Sequence, residues 1–229
     1  MSRLAWDATG AHLYETGVKN CVLYVMNSSG AYPEGVAWNG ITAITESPTG
    51  ADAEALYADD IKYLNLIAAE EFEATVEAYT YPDEFAQCNG EADLGGDNAI
   101  GAVIGQQSRK TFGLCYRTAL GNDVDNDSYG YKLHIIYGCV ASPSERAYES
   151  INDSPEAITF SWDIKTTPVT VTGFKPTANI TIDSTKAEED CLEALMDVLY
   201  GTDAGEGTQG TTARLPLPDE IKTLLTPTP

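Results

Sequence analysis

Histidine, paired cysteine, basic charge and long apolar runs are all scarce in this chain, and each scarcity removes a class of function. Only His12 and His134 are present among 229 residues. His134 sits between Leu133 and Ile135 in an alternating stretch and reads as a strand residue, not as a general base. Cys21, Cys88, Cys115, Cys139 and Cys191 are odd in number and show no C-x-x-C spacing. That pattern speaks against a zinc site or a redox pair and for buried free thiols. The segment Met1-Ser2-Arg3-Leu4-Ala5-Trp6-Asp7 has no apolar signal-peptide core. No apolar run approaches the ~20 residues of a membrane helix. Synthesis in the cytosol and no membrane partner are expected.

Bases are the largest shortage. Thirteen Lys and Arg stand against 35 Asp and Glu, for a net charge of −22. Residues 1–100 carry 17 of the acids with only Arg3, Lys19 and Lys62 to oppose them. A chain so charged should not grip nucleic acid by neutralising phosphates. It is suited to let nucleic acid pass without sticking.

What the chain does have is aromatic and β-branched bulk. Thirteen Tyr, five Phe and three Trp supply a core for one large all-β domain or two small ones. Strands are expected at Cys21–Met26, Val36–Ile44, Ile61–Leu66, Glu71–Tyr81, Ala99–Ile104, Thr111–Ala119, Tyr129–Val140, Ala157–Lys165 and Ala178–Ile182. Turn clusters separate them, among them Asn27-Ser28-Ser29-Gly30, Gly95-Gly96-Asp97-Asn98 and Asn152-Asp153-Ser154-Pro155. Many short strands with frequent turns point to a mainly β fold, a sandwich or barrel of two packed sheets. The polar, acidic stretch 45–60 reads as a long loop between strands.

The most pronounced alternation is Glu71–Tyr81. One face carries Phe72, Ala74, Val76 and Ala78, the other Glu71, Glu73, Thr75 and Glu77. Phe72, Val76 and Tyr79 would also fit a helix, but Thr75, Val76, Tyr79, Thr80 and Tyr81 favour the strand. A row of like charges about 7 Å apart repels itself and calls for a reason.

One helix is marked near the C-terminus. Thr185 and Glu188 have capping-box spacing, Leu192, Leu195, Met196 and Leu199 form an apolar stripe, and Gly201 is a stop signal. Residues 202–212 read as a flexible linker. The apolar tail beyond it either docks on another subunit or folds back on its own domain. The expected organisation is therefore a β-domain over 1–182, a helix over 183–201 and a linker with an arm over 202–229.

Two carboxylate groupings could carry chemistry. Asp123, Asp125 and Asp127 have the spacing of half an EF-hand, but Ser128 replaces its glycine and His134 its bidentate glutamate. A calcium-dependent β-sandwich adhesin is the alternative built on them. Glu70, Glu71, Glu73, Glu77, Asp83 and Glu84 could contain an acid/base pair of glycosidase type, yet nothing singles out two of them. No G-x-S-x-G, Ser/His/Asp or phosphate-loop pattern is present. The chain reads as a structural protein, not an enzyme, with no cofactor or metal.

Several stretches resemble the major tail protein, or tail tube protein, of phages with long non-contractile tails that infect Gram-positive bacteria. They are Tyr57–Leu64, Glu77–Phe85, Gly105–Arg117, Tyr131–Gly138, Ala141–Arg146 and Asn152–Trp162, in that order along the chain. The resemblance implies two packed β-sheets with a flanking helix, and hexameric rings stacked into a hollow tube. It implies strands from each subunit joining a continuous barrel around the lumen, and a long loop, here 45–60, reaching the next ring. The implied partners are further copies of the chain, tail tip or baseplate, tape measure and tail terminator proteins, with DNA passing through unbound. The implied location is the virion, and a tube of a related phage-derived injection apparatus is a second possibility. In that setting Glu71, Glu73 and Glu77 are the residues expected to face the lumen.

Overall fold

The computed structural model describes residues 6–96, 100–143, 146–148, 150, 157–204 and 209–227. The expected turn at 152–155 lies outside these residues, as do residues 97–98 of the turn at 95–98.

In chain order the strands are β1 (Tyr14–Val25), β2 (Gly35–Ala37), β3 (Ile41–Glu46), β4 (Thr49–Gly50), β5 (Ala53–Ala58), β6 (Ile61–Ile67), β7 (Glu70–Glu71) and β8 (Glu73–Ala78). After a 3-10 turn at Asp83–Phe85 come β9 (Ala92–Asp93), β10 (Val103–Ile104), β11 (Phe112–Asn122), β12 (Asn126–Pro143), β13 (Phe160–Thr166) and β14 (Asn179–Asp183). Helices α1 (Glu189–Tyr200) and α2 (Pro218–Leu224) complete the chain.

Eight strands form one antiparallel sheet in the order β2-β1-β11-β12-β13-β8-β3, with β14 also on β12. It works as two packed layers because β12 changes partners part-way. Lys132–Ile136 pair with β14 and, with their neighbours, with β11, whereas Cys139–Pro143 pair with β13. The change falls at Gly138, whose φ of +62° is left-handed, and the β11–β12 register slips there. Such a bulge bends a strand and re-aims the residues beyond it.

Two apolar clusters result. Leu23, Phe112, Leu114, Ile136, Val76, Trp162 and Ile164 fill the space between the layers. Val22, Tyr24, Cys115, Leu133, Ile135 and Tyr137 face the other way and are covered by Leu192, Leu195 and Leu199 of α1 and Ile221 of α2. Cys21–Tyr24 of β1, Phe112–Tyr116 of β11 and Ile135–Cys139 of β12 are thus buried on both sides, which explains their near-continuous apolar runs.

The alternation at Glu71–Tyr81 produces a strand, as its β-formers favour, though a shorter one. Ala74, Val76 and Ala78 point into the core; Glu73 and Glu77 do not. Val36–Ile44 is two strands, not one. Gly40, at φ +82°, breaks it, and β2 and β3 end on opposite edges of the sheet. β1 begins seven residues earlier than expected, because Gly17 (φ +70°) and Asn20 (φ +54°) introduce bulges that hide its alternation.

Helix α1 starts after the expected capping box. Glu188 is the N-cap, its carboxylate accepting a hydrogen bond from the Cys191 amide at 3.0 Å, while Thr185 bonds Asp183 in the turn before it. Gly201 ends the helix with φ +76°. Residues after Thr211 fold back on their own chain: Leu215 and Ile221 are buried, and Pro216 accepts a hydrogen bond from the Tyr137 hydroxyl at 2.8 Å.

A Cβ at Gly138 would fall on the Thr167 carbonyl oxygen, and the left-handed φ adds strain. We expect Gly138→Ala to lower the free energy of unfolding by at least ~1–3 kcal/mol. Urea denaturation followed by tyrosine and tryptophan fluorescence measures it. An unchanged midpoint would remove the bulge from its central place.

Candidate functional site

Three surfaces of the protein stand open. The first is the outer face of β3, β8 and β13. Cross-strand register aligns Glu73 with Lys165, Thr75 with Asp163 and Thr45, and Glu77 with Ser161 and Ala43. Glu73 and Lys165 form an exposed ion pair at 3.3 Å, and Thr75 donates to Asp163 at 3.0 Å. Among the described residues no helix covers this face; α1 and α2 pack on the layer formed by β1, β11 and β12. Glu71, expected in the same row, lies apart. It belongs to β7, which pairs with β4 at the neck of a separate hairpin.

The second surface is that hairpin, and it corrects the expectation of a loop over 45–60. β5 and β6 form a two-stranded ribbon closed by Asp59 and Asp60, both at positive φ (53° and 61°). This is the two-residue turn whose backbone twist suits a hairpin. The ribbon stands off the sheet: Tyr57, Tyr63 and Ile67 are about 70% exposed, and Ile61, Leu64 and Leu66 are exposed as well. Singly exposed apolar residues are ordinary, but a contiguous set on both faces of a ribbon marks a contact surface.

The third is unpaired backbone. β3 is the sheet's last strand and pairs only with β8. β2 pairs with β1 only from Val22 to Tyr24, and among the described residues no strand pairs with Tyr14–Asn20 on that side. Exposed edges of this length template further strand pairing.

A polar cluster ties the layers together at the root of the hairpin. His134 is stacked on Tyr116, with ring centroids 4.8 Å apart, and lies between two carboxylates: its Nε2 is 3.1 Å from Glu15 and its Nδ1 3.5 Å from Glu46. Thr118 and Lys132 also bond Glu15, and the Tyr116 hydroxyl donates to Glu46. The His134 ring, with Nδ1 3.5 Å away, is the main reason the Glu46 carboxyl sits below its usual range, and it outweighs burial. Burial pushes the Glu15 carboxyl up, but Lys132, Thr118 and His134 together bring it below. His134 is therefore a strand residue, as expected, and also a bridge.

The groupings considered for chemistry do not assemble. Asp123 is engaged by the Gly10 and His12 amides at 3.0 and 3.3 Å, and Asp125 by the Asn122 side chain at 3.0 Å. Among the described residues no three His, Cys, Asp or Glu side chains gather to hold a metal ion. Glu70 and Glu71 lie at the hairpin neck, Glu73 and Glu77 on β8, and Asp83 and Glu84 in the 3-10 turn beyond its other end. Cys21, Cys88, Cys115 and Cys139 are buried thiols, and burial pushes Cys88 and Cys115 up to about 12. Among the described residues no helix is long and apolar enough to cross a membrane.

No family model and no curated protein matches the chain. Two solved structures show a distant likeness. One is a chain of the anti-feeding prophage baseplate, 10% identical, with 80% of this chain and 97% of that chain covered and a TM-score of 0.34. The other is a chain of the PVC sheath–tube complex of an extracellular contractile injection system in its extended state. It is 12% identical, covers 72% of this chain and 88% of that one, and has a TM-score of 0.29. Likeness at this level transfers no role.

Carboxylates with depressed folded-state pKa values stabilise the fold above their unfolded values of about 4.3, and that stability is lost as pH falls through the folded values. We expect unfolding free energy to drop as pH falls below about 4.3. The drop should be shallower in the Glu15→Gln/Glu46→Gln variant. Urea titrations across this range check it, and equal slopes would show that the cluster does not link the layers.

Proposed function

We propose that this is a structural, non-enzymatic protein of the phage-tail kind, which polymerises as stacked rings into a tube that conducts DNA. The observation that carries the reading is the unfinished sheet: among the described residues no strand pairs with the outer side of β3, and no helix covers the outer face of β3, β8 and β13. Copies joined edge to edge, β3 of one to the open stretch of β1 in the next, would close those edges into a continuous barrel. The bare face of β8 and β13 would then line the lumen, with Glu73 and Glu77 inside. Duplex DNA carries one charge per ~1.7 Å, so an acidic wall lets it slide where a basic wall would hold it. Six copies per ring, the tip, tape measure and terminator proteins as partners, and a location in the virion belong to the same reading through the resemblance of the sequence. A tube of a related phage-derived injection apparatus would use the same geometry.

The calcium-dependent adhesin gains nothing from the structure, since Asp123 and Asp125 already serve the turn they sit in.

Assembly must work against a net charge of −22 per copy. Salt screens such repulsion over ~8 Å at physiological strength. Purified protein at high concentration should therefore form hollow tubes or stacked rings more readily as salt is raised, as seen by negative-stain electron microscopy. In a reconstruction Glu73 and Glu77 should face the lumen. Polymerisation that weakens steadily with salt, or these carboxylates on the outer wall, would overturn the assignment.

A further inference from the structure

Four bases are half-buried among the described residues: Arg117, Lys132, Arg146 and Arg214. Three of them hold a carboxylate, Lys132 that of Glu15, Arg146 that of Glu91 and Arg214 that of Glu220. Arg117 holds none. Among the described residues its side chain enters no ion pair and no hydrogen bond, and its Nε is buried with no acceptor. Its guanidinium carbon lies 3.6 Å from the centroid of the Tyr131 ring. A ring face attracts the charge but leaves the N–H groups in the guanidinium plane unsatisfied.

A second base faces it. Lys19 stands directly opposite Arg117 in the β1–β11 register, with a register shift on either side of it. Bulges re-aim side chains, and these set a lysine beside an arginine. Opposite residues of an antiparallel pair have Cβ atoms about 5 Å apart, and like charges placed so repel. Lys19 is exposed, and among the described residues it too has no carboxylate within ion-pair distance. In a chain with 13 bases and 35 acids, two bases that face each other with no acid between them call for an anion from outside.

We infer that Arg117 and Lys19 form a binding site for an oxyanion, a group of the carboxylate or phosphate kind. The guanidinium fork matches two oxygens of such a group, and the Lys19 ammonium adds a point charge from the other side. Tyr131 backs the fork, and its own strand position is pinned by Ser184. The Ser184 hydroxyl accepts from the Tyr131 amide at 2.9 Å, and the Ser184 amide donates to the Tyr131 carbonyl at 3.0 Å. The net charge of −22 repels anions at large, so an anion held here is held by local geometry. Two sources present this chemistry: a free phosphate-type ion, or an Asp or Glu side chain of a second copy, since Lys19 lies in the open stretch of β1. The second source rests on the self-assembly reading; the site itself does not.

Titration calorimetry with inorganic phosphate, at an ionic strength held constant with sodium chloride, tests the site. Phosphate should bind once per chain. Arg117→Lys keeps the charge and loses the fork, and should weaken binding roughly tenfold. Lys19→Gln should weaken it to a lesser degree, and Lys62→Gln, on the hairpin, should leave it unchanged. Thermal melting reports whether each variant folds as the parent does. Sedimentation velocity over a range of protein concentrations separates the sources. Association that phosphate suppresses more than chloride does, and that Arg117→Lys weakens, assigns the site to a carboxylate of a second copy. Phosphate binding that depends on Arg117, with association unchanged by the same substitution, assigns it to a free ion and leaves self-assembly standing. Phosphate binding equal in parent and Arg117→Lys would mark an adventitious ion only and overturn the site. Absence of phosphate binding, together with association indifferent to Arg117 and Lys19, would overturn it as well.

Discussion

β12 belongs to both layers, and nearly every other contact in the protein depends on its bend at Gly138. From Leu133 to Tyr137 the strand lies between the inter-layer core and the helices, with only His134 half-exposed among its side chains. From Cys139 it crosses into the second layer and supplies the partner for β13. Without the left-handed residue the strand would run straight, and β13, β8 and β3 would extend the first layer as a flat sheet. Leu114, Ile136, Val76 and Ile164 would then have nothing to pack against. Because the bend exists, the second layer is held on its inner side by that core and by hydrogen bonds, and its outer side stays open.

That asymmetry separates two kinds of sheet face. The face covered by α1 and α2 buries Leu192, Leu195 and Leu199 of one helix and Ile221 of the other. At about 25 cal/mol per Å2 of apolar area, four such side chains contribute several kcal/mol. The uncovered face carries Glu73, Thr75, Glu77, Asp163 and Lys165, groups that would lose their water under any cover. Burying the carboxylates without partners would cost more than covering the sheet returns. The sequence of β8 therefore decides which layer is left bare, and it does so with side chains that water or a water-filled channel tolerates.

Parts of this arrangement were legible in the residues. The alternation in Glu73–Ala78 is a direct imprint of one dry face and one wet face. The apolar run Leu133–Tyr137 is the imprint of burial on both. The hairpin is half legible: Ile61–Leu66 reads as a strand and is β6, while 45–60 reads as a loop because nearly every side chain of Ala53–Ala58 is exposed and no burial pattern is written on it. Its only local signal is Asp59-Asp60 between two apolar segments, a weaker turn signature than a pair containing glycine. β1 was shortened because the bulges at Gly17 and Asn20 break its period. The start of α1 was misplaced because Thr185 and Glu188 satisfy the spacing of a capping box, while Asp183 takes the Thr185 hydroxyl for a turn of its own. The cluster around His134 draws on four strands, β1, β3, β11 and β12, and no sequence window contains it.

The distribution of charge and apolar surface fits a protein that adheres to itself and to little else. A uniformly acidic chain with no exposed apolar area would stay dispersed, and a neutral one with these hairpins would aggregate without order. On the proposed self-assembly, the repulsion is general, spread over 35 acids, whereas the attraction would be local, at exposed apolar surface such as the hairpin and at the edges of β1 and β3. General repulsion weakens every encounter alike, including wrong ones. Local attraction would prevail only where apolar surface and backbone edge meet their complements together. Specificity then arises as a difference between the matched contact and all others, enforced by charge that opposes the others.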